Sequence, residues 1–148
     1  MIKKRIRVMV VEDNETVAYL IKTAFSHRGE KVEWDLCFAK DGQAALDCLF
    51  RRGPHAEAAP PDFVLLDWNL PKVSGREVLR ILKGDEALRT IPVLIFSSSD
   101  AEEDIYAAYD GHANGYVPKP AGLEGFYGVI ESIESFWVHT AHLPRKRQ

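Results

Sequence analysis

The short apolar run Phe63–Leu66 does most to limit the folds open to this chain. All four of its residues are apolar, which is typical of a parallel strand that is buried on both faces. The run ends at Asp67, and Pro71 and Gly75 mark a loop before the next helical pattern. In open parallel sheets, ligand chemistry lies beyond the carboxyl ends of the strands. Asp67 therefore either carries a reaction or simply caps the following turn.

Further strand patterns alternate with helical patterns along the chain. The predicted strands are Arg5–Val11, Lys31–Ala39, Phe63–Leu66, Ile91–Ser97 and Gly115–Pro118, and the predicted helices are 14–28, 42–52, 76–83, 101–111 and 123–139. This alternation predicts an α/β fold, in which helices cover both faces of one parallel sheet. A chain of 148 residues with 46% hydrophobic content is long enough for one buried core. We therefore expect one domain over residues 5–139, followed by a tail at 140–148 and no effector domain.

Charge and cysteine content argue against several classes of protein. The formal net charge of −3 does not favour binding to nucleic acid, and the short basic runs at both ends are typical of solvated tails. There is no apolar run of about 18 residues that would span a membrane, and the first strand begins too early to leave room for a signal peptide.

Cys37 and Cys48 lack the spacing of a metal site or a redox motif. We expect two free thiols in a cytoplasmic protein.

Polar side chains mark the ends of four predicted strands. Glu12 and Asp13 follow the first strand, Asp67 follows the third, Ser97 ends the fourth and Lys119 follows the fifth. Because the carboxyl ends of parallel strands meet at one edge of a sheet, we expect these side chains to converge. Three carboxylates repel one another unless they share a cation, and oxygen ligands without His or Cys suit Mg²⁺.

A carboxylate beside a divalent cation, a lysine and a hydroxyl can attack phosphorus and form an aspartyl phosphate. In that reading Asp67 is the nucleophile, and Lys119 and Ser97 contact the phosphate oxygens. Each residue also has an ordinary explanation, as an acid at a helix N-terminus, a serine at a strand end or an exposed loop lysine. Their joint position at the strand ends favours a shared site.

The segments that carry these residues resemble the receiver domain of two-component response regulators. They are the pair Glu12-Asp13, LLDWNLP with Asp67, Ser97, and YVPKP with Lys119, and the resemblance extends over residues 5–136. It implies a flavodoxin-like (βα)5 doubly wound sheet with strand order 2-1-3-4-5. It also implies that Asp67 accepts a phosphoryl group from a sensor histidine kinase. Such a protein is a phosphoacceptor rather than an enzyme, apart from its own Mg²⁺-dependent phosphoryl transfer and autodephosphorylation.

The same resemblance implies further roles for individual residues. The Mg²⁺ ligands it implies are Glu12, Asp13, Asp67 and the backbone carbonyl of Asn69. Tyr116 is expected to swing inward when the Ser97 hydroxyl moves, and the Lys119–Pro120 bond is expected to be cis. Serine at position 97 departs from the threonine that is commonest in the family, but it keeps the hydroxyl.

Longer segments show a narrower similarity. DWNLPKVSGREVL, IPVLIFSSSD and an aromatic-rich final helix ending in FWVHTAHLP are similar to the single-domain regulators that serve bacterial phytochromes. This similarity implies a bacteriophytochrome as the partner kinase.

Phosphorylation of Asp67 would draw Ser97 inward and change the packing beside Tyr116. Without an effector domain the output is expected to be a protein contact, on the face formed by the fourth helix, the fifth strand and the fifth helix. The expected interface residues are Tyr109, Tyr116, Val129, Phe136 and Val138. The last three either form an apolar patch or complete the core, and the family resemblance favours a homodimer through this face.

Other functions fit the sequence less well. A receiver-like scaffold that is never phosphorylated has no need of the acid pair, Asp67, Ser97 and Lys119. A flavodoxin-like flavin binder needs a phosphate-binding loop after the first strand, where this chain has the acidic segment EDNET. A hydrolase needs a substrate pocket that the sequence does not indicate. The sequence therefore predicts a phosphorylated signalling protein.

Overall fold

Five strands and five α-helices alternate along residues 4–144, the part of the chain that a computed structural model describes. The strands are β1 (Lys4–Val11), β2 (Val32–Ala39), β3 (Phe63–Leu66), β4 (Val93–Ser97) and β5 (Gly115–Pro118). The helices are α1 (Glu15–Ser26), α2 (Gly42–Leu49), α3 (Gly75–Gly84), α4 (Glu102–Asp110) and α5 (Leu123–Glu134). A short 3₁₀ helix, Gly53–His55, precedes β3, and a π-helical segment, Ser135–Thr140, continues α5.

The strands form one parallel sheet in the order β2-β1-β3-β4-β5. This order confirms the predicted flavodoxin-like fold, and β2 lies at an edge of the sheet. The bounds of β3 and β5 equal the predicted ones. The predicted helix 42–52 is too long, because the chain leaves the helical conformation and Arg51 has a positive φ of 56°.

The core is divided between the two faces of the sheet. Successive strand residues point to opposite faces, so β3 places Phe63 and Leu65 against α1 and α5, and Val64 and Leu66 against α2, α3 and α4. All four side chains are buried. This packing on both faces explains why the run Phe63–Leu66 contains no polar residue.

Three helices, α1, α2 and α3, have a side-chain cap at their N-terminus, close to the carboxyl edge of the sheet. Asn14 Oδ1 accepts a hydrogen bond of 3.1 Å from the backbone N–H of Val17, and Asp41 Oδ1 accepts one of 2.7 Å from Ala44. Ser74 Oγ accepts one of 3.2 Å at the start of α3. Each bond satisfies a backbone donor that the first turn of a helix leaves unpaired. The caps confirm Asn14 as the predicted start of the first helix.

The prediction for the last helix is partly wrong. Leu123, Phe126, Ile130 and Ile133 have the spacing of one buried helix face. Phe126, Ile130 and Ile133 are indeed buried, but Leu123, the first residue of α5, is 36% exposed. The α-helix ends at Glu134 rather than near residue 139, and the π-helical segment replaces its last turn. Within residues 4–144, none of the helices has the length and apolar character needed to cross a bilayer.

Candidate functional site

Three carboxylates lie together at the carboxyl edge of the sheet. Glu12 and Asp13 follow β1, Asp67 follows the neighbouring strand β3, and one oxygen of each side chain lies within 4.8 Å of the others. Glu12 and Asp67 are buried, whereas Asp13 is exposed. The cluster therefore contains two carboxylates that are shielded from water and one that faces solvent.

Backbone hydrogen bonds hold two of the three acids in place. The N–H of Glu12 donates to the carbonyl of Ala39 over 3.0 Å, and the N–H of Asp67 donates to the carbonyl of Val11 over 3.0 Å. These bonds extend the pairing of β1 with β2 and β3 by one residue. The backbone positions of Glu12 and Asp67 are consequently set by the register of the sheet.

Lys119 joins the acids from the other side of β3. Its Nζ atom lies 2.8 Å from Oε1 of Glu12 and 3.2 Å from Oδ2 of Asp67. The backbone N–H of Lys119 donates to the carbonyl of Ser97 over 2.9 Å, which ties the end of β5 to the end of β4. One ammonium group thus contacts two of the three clustered carboxylates.

Burial acts in opposite directions on the pKa values of Glu12 and Lys119. Burial raises the pKa of Glu12, the charge of Asp67 adds to this effect, and the hydrogen bond from Lys119 opposes it. Burial by itself would lower the pKa of Lys119, but the hydrogen bond and charge of Glu12, together with Asp67, raise it overall. Lys119 is therefore an ammonium at neutral pH, and Glu12 holds its proton to a higher pH than a free glutamate does.

The donor set of the acidic cluster fits a hard divalent cation. All of its side-chain ligands are carboxylate oxygens, which Mg²⁺ prefers, and an exposed acid leaves room for water ligands. Asn69 lies two residues after Asp67, and its backbone N–H donates to Asp67 Oδ1 over 3.3 Å. The role of the Asn69 carbonyl as a ligand stays a prediction.

Ser97 is fully buried at the end of β4, and its Oγ accepts a hydrogen bond of 3.2 Å from the N–H of Ser99. Ser99 also connects the strand end to two other elements. Its carbonyl accepts a bond of 2.8 Å from the hydroxyl of Tyr116, and its Oγ donates to Asp104 in α4 over 2.6 Å. The sequence analysis missed Ser99, because Ser97, Ser98 and Ser99 are chemically alike and only the first ends a strand.

Gly75 is a second residue whose role in the site the sequence analysis missed. An ideal Cβ atom on Gly75 would overlap the carbonyl oxygen of Asp67. The N–H of Gly75 also donates to the carbonyl of Trp68 over 3.0 Å, so the loop after Asp67 folds back tightly against the start of α3. In the sequence, Gly75 directly precedes the predicted helix 76–83 and has the composition of a loop residue, so nothing local indicated its contact with Asp67.

The expectation of a cis Lys119–Pro120 bond is wrong for this structure. The peptide bonds of the described residues are all trans, which is the isomer of lower energy for an X–Pro bond in the absence of other constraints.

The predicted interface residues occupy two regions. Val129 and Phe136 line a groove of about 320 Å³ between α5 and the sheet, together with Leu94, Val117, Ile133 and Trp137. Phe136 is 51% exposed, while Val129 and Val138 are half-buried and pack against the α1/α5 core. Tyr109 is exposed on α4, and Tyr116 packs partly against the opposite core. The structure therefore brings two of the five residues into one groove.

Comparison with known proteins identifies one family. The model of the response regulator receiver domain matches residues 8–131. The response regulator Rcp1 of Synechocystis sp. (strain ATCC 27184 / PCC 6803 / Kazusa) is 34% identical over 137 residues, which are 93% of this chain and 92% of Rcp1. The probable methanogenesis regulatory protein FilR2 of Methanothrix harundinacea is 40% identical over 133 residues, which are 88% of this chain and 83% of FilR2.

Solved structures agree with this result. The phosphorylated cyanobacterial phytochrome response regulator RcpA is 40% identical, with a TM-score of 0.90 over 95% of this chain and 99% of RcpA. The Mn²⁺-bound form of Rcp1 is 34% identical, with a TM-score of 0.87 over 95% of this chain and 99% of Rcp1. The bacteriophytochrome response regulator AtBRR is 36% identical, with a TM-score of 0.73 over 91% of this chain and 96% of AtBRR.

Proposed function

This chain belongs to the response regulator receiver domain family, and on that basis we propose that Asp67 is the residue that accepts a phosphoryl group from a sensor histidine kinase. The observation that carries this assignment is the contact of the buried Asp67 carboxylate with Lys119, inside a cluster of three acids. A relative with 40% identity, RcpA, has been solved in a phosphorylated form.

In the proposed reaction, an oxygen of Asp67 attacks phosphorus as the bond between phosphorus and the kinase histidine breaks. The phosphoryl group moves to Asp67, and the electron pair of the broken bond stays on the histidine nitrogen. Lys119 already contacts Asp67 Oδ2, so a small movement of its ammonium would bring it to the new phosphoryl oxygens. The buried Ser97 hydroxyl is the proposed partner of another phosphoryl oxygen.

Mg²⁺ is the proposed cofactor, held by Glu12, Asp13, Asp67 and the carbonyl of Asn69. The oxygen-only donor set supports this choice, as does the Mn²⁺-bound structure of the relative Rcp1. When bound, the ion would neutralise charge on the transferring phosphoryl group.

The proposed readout passes through Ser97 and Tyr116. If Ser97 moves toward a phosphoryl group, it loses its present bond from Ser99, whose carbonyl holds the Tyr116 hydroxyl. Tyr116 would then change its packing against α4. The proposed output is a homodimer through α4, β5 and α5, supported by the exposed Phe136 and the apolar groove beside it.

A bacteriophytochrome is the proposed kinase. Support comes from the names of the relatives, since RcpA is a phytochrome response regulator and AtBRR a bacteriophytochrome response regulator. Transfer from a radiolabelled bacteriophytochrome kinase should be faster than transfer from an unrelated histidine kinase. Equal rates would contradict this choice of partner.

Labelling with acetyl phosphate tests the central assignment without a kinase. In the presence of Mg²⁺, the wild-type protein should gain a phosphoryl group and Asp67→Asn should not. Asp110→Asn removes an exposed carboxylate at the end of α4 and is the matched control, which should label like wild type. Normal labelling of Asp67→Asn would overturn the assignment, and a wild-type protein that never labels would favour the unphosphorylated scaffold.

A further inference from the structure

The two cysteines of the chain lie side by side although they belong to different elements. Cys37 is in β2 and Cys48 is in α2, and their sulfur atoms are 4.0 Å apart. Cys37 is half-buried, and Cys48 is 9% exposed. The proposed phosphoryl transfer uses neither thiol, so their juxtaposition has no role in the site described above.

A disulfide bond requires a sulfur–sulfur distance of about 2.05 Å, so the two sulfur atoms would have to approach by about 2 Å. Rotation about the Cα–Cβ bonds moves a cysteine sulfur by this amount without breaking the β2 ladder. The connection from β2 to α2 is also short, since Lys40 and Asp41 are the only residues between the two elements. The two elements that carry the thiols are thus joined by a tight turn.

We propose that Cys37 and Cys48 form a redox modification site, at which a low-molecular-weight disulfide such as oxidised glutathione converts the two thiols into one intramolecular disulfide. In the first step, the sulfur of the more accessible Cys37 attacks the small disulfide, forms a mixed disulfide and releases one small thiol. In the second step, the sulfur of Cys48 attacks the Cys37 sulfur and releases the second small thiol. The protein loses two protons and two electrons, and the small disulfide gains them.

The order of these steps follows from burial. Burial, together with the neighbouring Cys37, raises the pKa of Cys48 to about 11. Because the thiolate is the attacking species, Cys48 is a poor first nucleophile toward a dissolved disulfide. It suits the second step, in which its target sulfur is held next to it and its low concentration of thiolate is offset by proximity.

The segment that such a bond would constrain reaches the acidic cluster. The carbonyl of Ala39, two residues after Cys37, accepts the hydrogen bond from Glu12. Asp41 contacts Lys72 at 3.5 Å, and Gly42 lies so close to Val73 that a Cβ atom would overlap its carbonyl. A bond from β2 to α2 would therefore tether the segment that supports Glu12 and the loop after Asp67.

Peptide mapping of the wild-type chain tests the proposal directly. The reduced protein is incubated with oxidised glutathione, remaining thiols are alkylated, and trypsin is added without a reductant. Cleavage after Lys31, Lys40 and Arg51 places the two cysteines in separate peptides, 32–40 and 41–51. The expected product is these two peptides joined by a disulfide, from protein that migrates as a monomer on a non-reducing gel. Alkylation of both cysteines, glutathione that remains on Cys37, or linkage only in a dimer band would each overturn the proposal.

Single variants test the order of the steps. Cys48→Ala should stop at the mixed disulfide on Cys37, whereas Cys37→Ala should react with glutathione at least ten-fold more slowly than wild type. Circular dichroism checks that both variants are folded, and the wild-type mapping decides the question if one is not. Reaction of Cys37→Ala at the wild-type rate would contradict the order. Because no measurement here uses phosphorylation, the result is independent of the role of Asp67.

Discussion

Lys119 and Glu12 form a buried ion pair with 2.8 Å between Nζ and Oε1, although they lie near opposite ends of the sequence. The side chains of Lys119 and Glu12 are only 13% and 2% exposed. A buried charge that loses its partner is costly, because the remaining charge is neither solvated nor paired. This relationship makes Lys119 a stabilising residue of the metal-free protein as well as a candidate phosphate ligand.

We therefore expect Lys119→Met to lower the free energy of unfolding of the metal-free protein by about 3 kcal/mol. Urea denaturation in the presence of a chelator measures this change. Lys72→Met is the matched control, because the Lys72 side chain is 70% exposed beside Asp41, and it should cost less than about 1 kcal/mol. Equal losses in the two variants would show that the contact with Glu12 contributes little.

Mg²⁺ should raise the melting temperature of the wild-type protein, because a ligand that binds the folded state stabilises it. Asp13→Asn should reduce this increase, since it removes one acid of the cluster. The effect of Mg²⁺ should also shrink as the pH falls from 7.5 toward the ordinary glutamate value of 4.5, because burial raises the pKa of Glu12 and bound protons compete with the metal. An increase that is the same at both pH values would contradict this account of Glu12.

Gly75→Ala should destabilise the protein by more than about 2 kcal/mol, because the new Cβ atom would overlap the Asp67 carbonyl. Phosphorylation should slow as well, since the loop after Asp67 must move. Gly128→Ala is the matched control: Gly128 lies inside α5 with open space where a Cβ would be, so alanine there should stabilise by about 0.5–1 kcal/mol. Thermal unfolding measures both, and a tolerated Gly75→Ala would disprove the close approach.

Phe136→Asp should lower the apparent mass of the phosphorylated protein in small-angle scattering, because it places a charge beside the apolar groove of the proposed dimer face. Tyr19→Asp is a suitable control, since Tyr19 is 67% exposed on α1 and outside that groove. Its mass should equal that of wild type. A dimer that survives Phe136→Asp would rule out this face as the interface.

Asp41→Ala should cost about 1 kcal/mol at pH 7, because it removes the cap of α2. The hydrogen bond from Ala44 lowers the pKa of Asp41 below its ordinary value of 3.8. The contribution of the carboxylate is thus present above pH 3.8 and is lost as the pH falls through the lower value of the folded protein. Asp41→Asn keeps an acceptor for the cap and should lose less. Unfolding curves at several pH values test both expectations, and an equal loss in the two variants would contradict the capping role.

Most of the fold could be predicted because its signals are local. A wholly apolar run such as Phe63–Leu66 is typical of a strand that is covered on both faces, and the alternation of strands with helices then predicts a parallel sheet. A parallel sheet in turn places Glu12, Asp67 and Lys119 at one edge, whatever the details of packing. The element types and the shared edge of these three residues follow from that logic, whereas the strand order, with β2 at an edge, was implied by the resemblance to the receiver domain.

The ends of helices and the identities of side-chain partners could not be predicted in this way. Leu123 has the spacing of a core residue, yet it is exposed at the first residue of α5. The hydrogen bond from Tyr116 goes to Ser99, and the sequence does not show which of the three consecutive serines, 97 to 99, receives it.

The sequence by itself thus determined the strands, the helices and the edge at which the polar residues meet, because hydrophobic period and strand ends are properties of neighbouring residues. Only the tertiary structure decided that Lys119 pairs with Glu12 and that Cys37 lies 4.0 Å from Cys48. Such distances depend on the register of the sheet and on how each helix packs against it. Register and packing result from many contacts between residues that are far apart in the sequence, so no short stretch of sequence contains them.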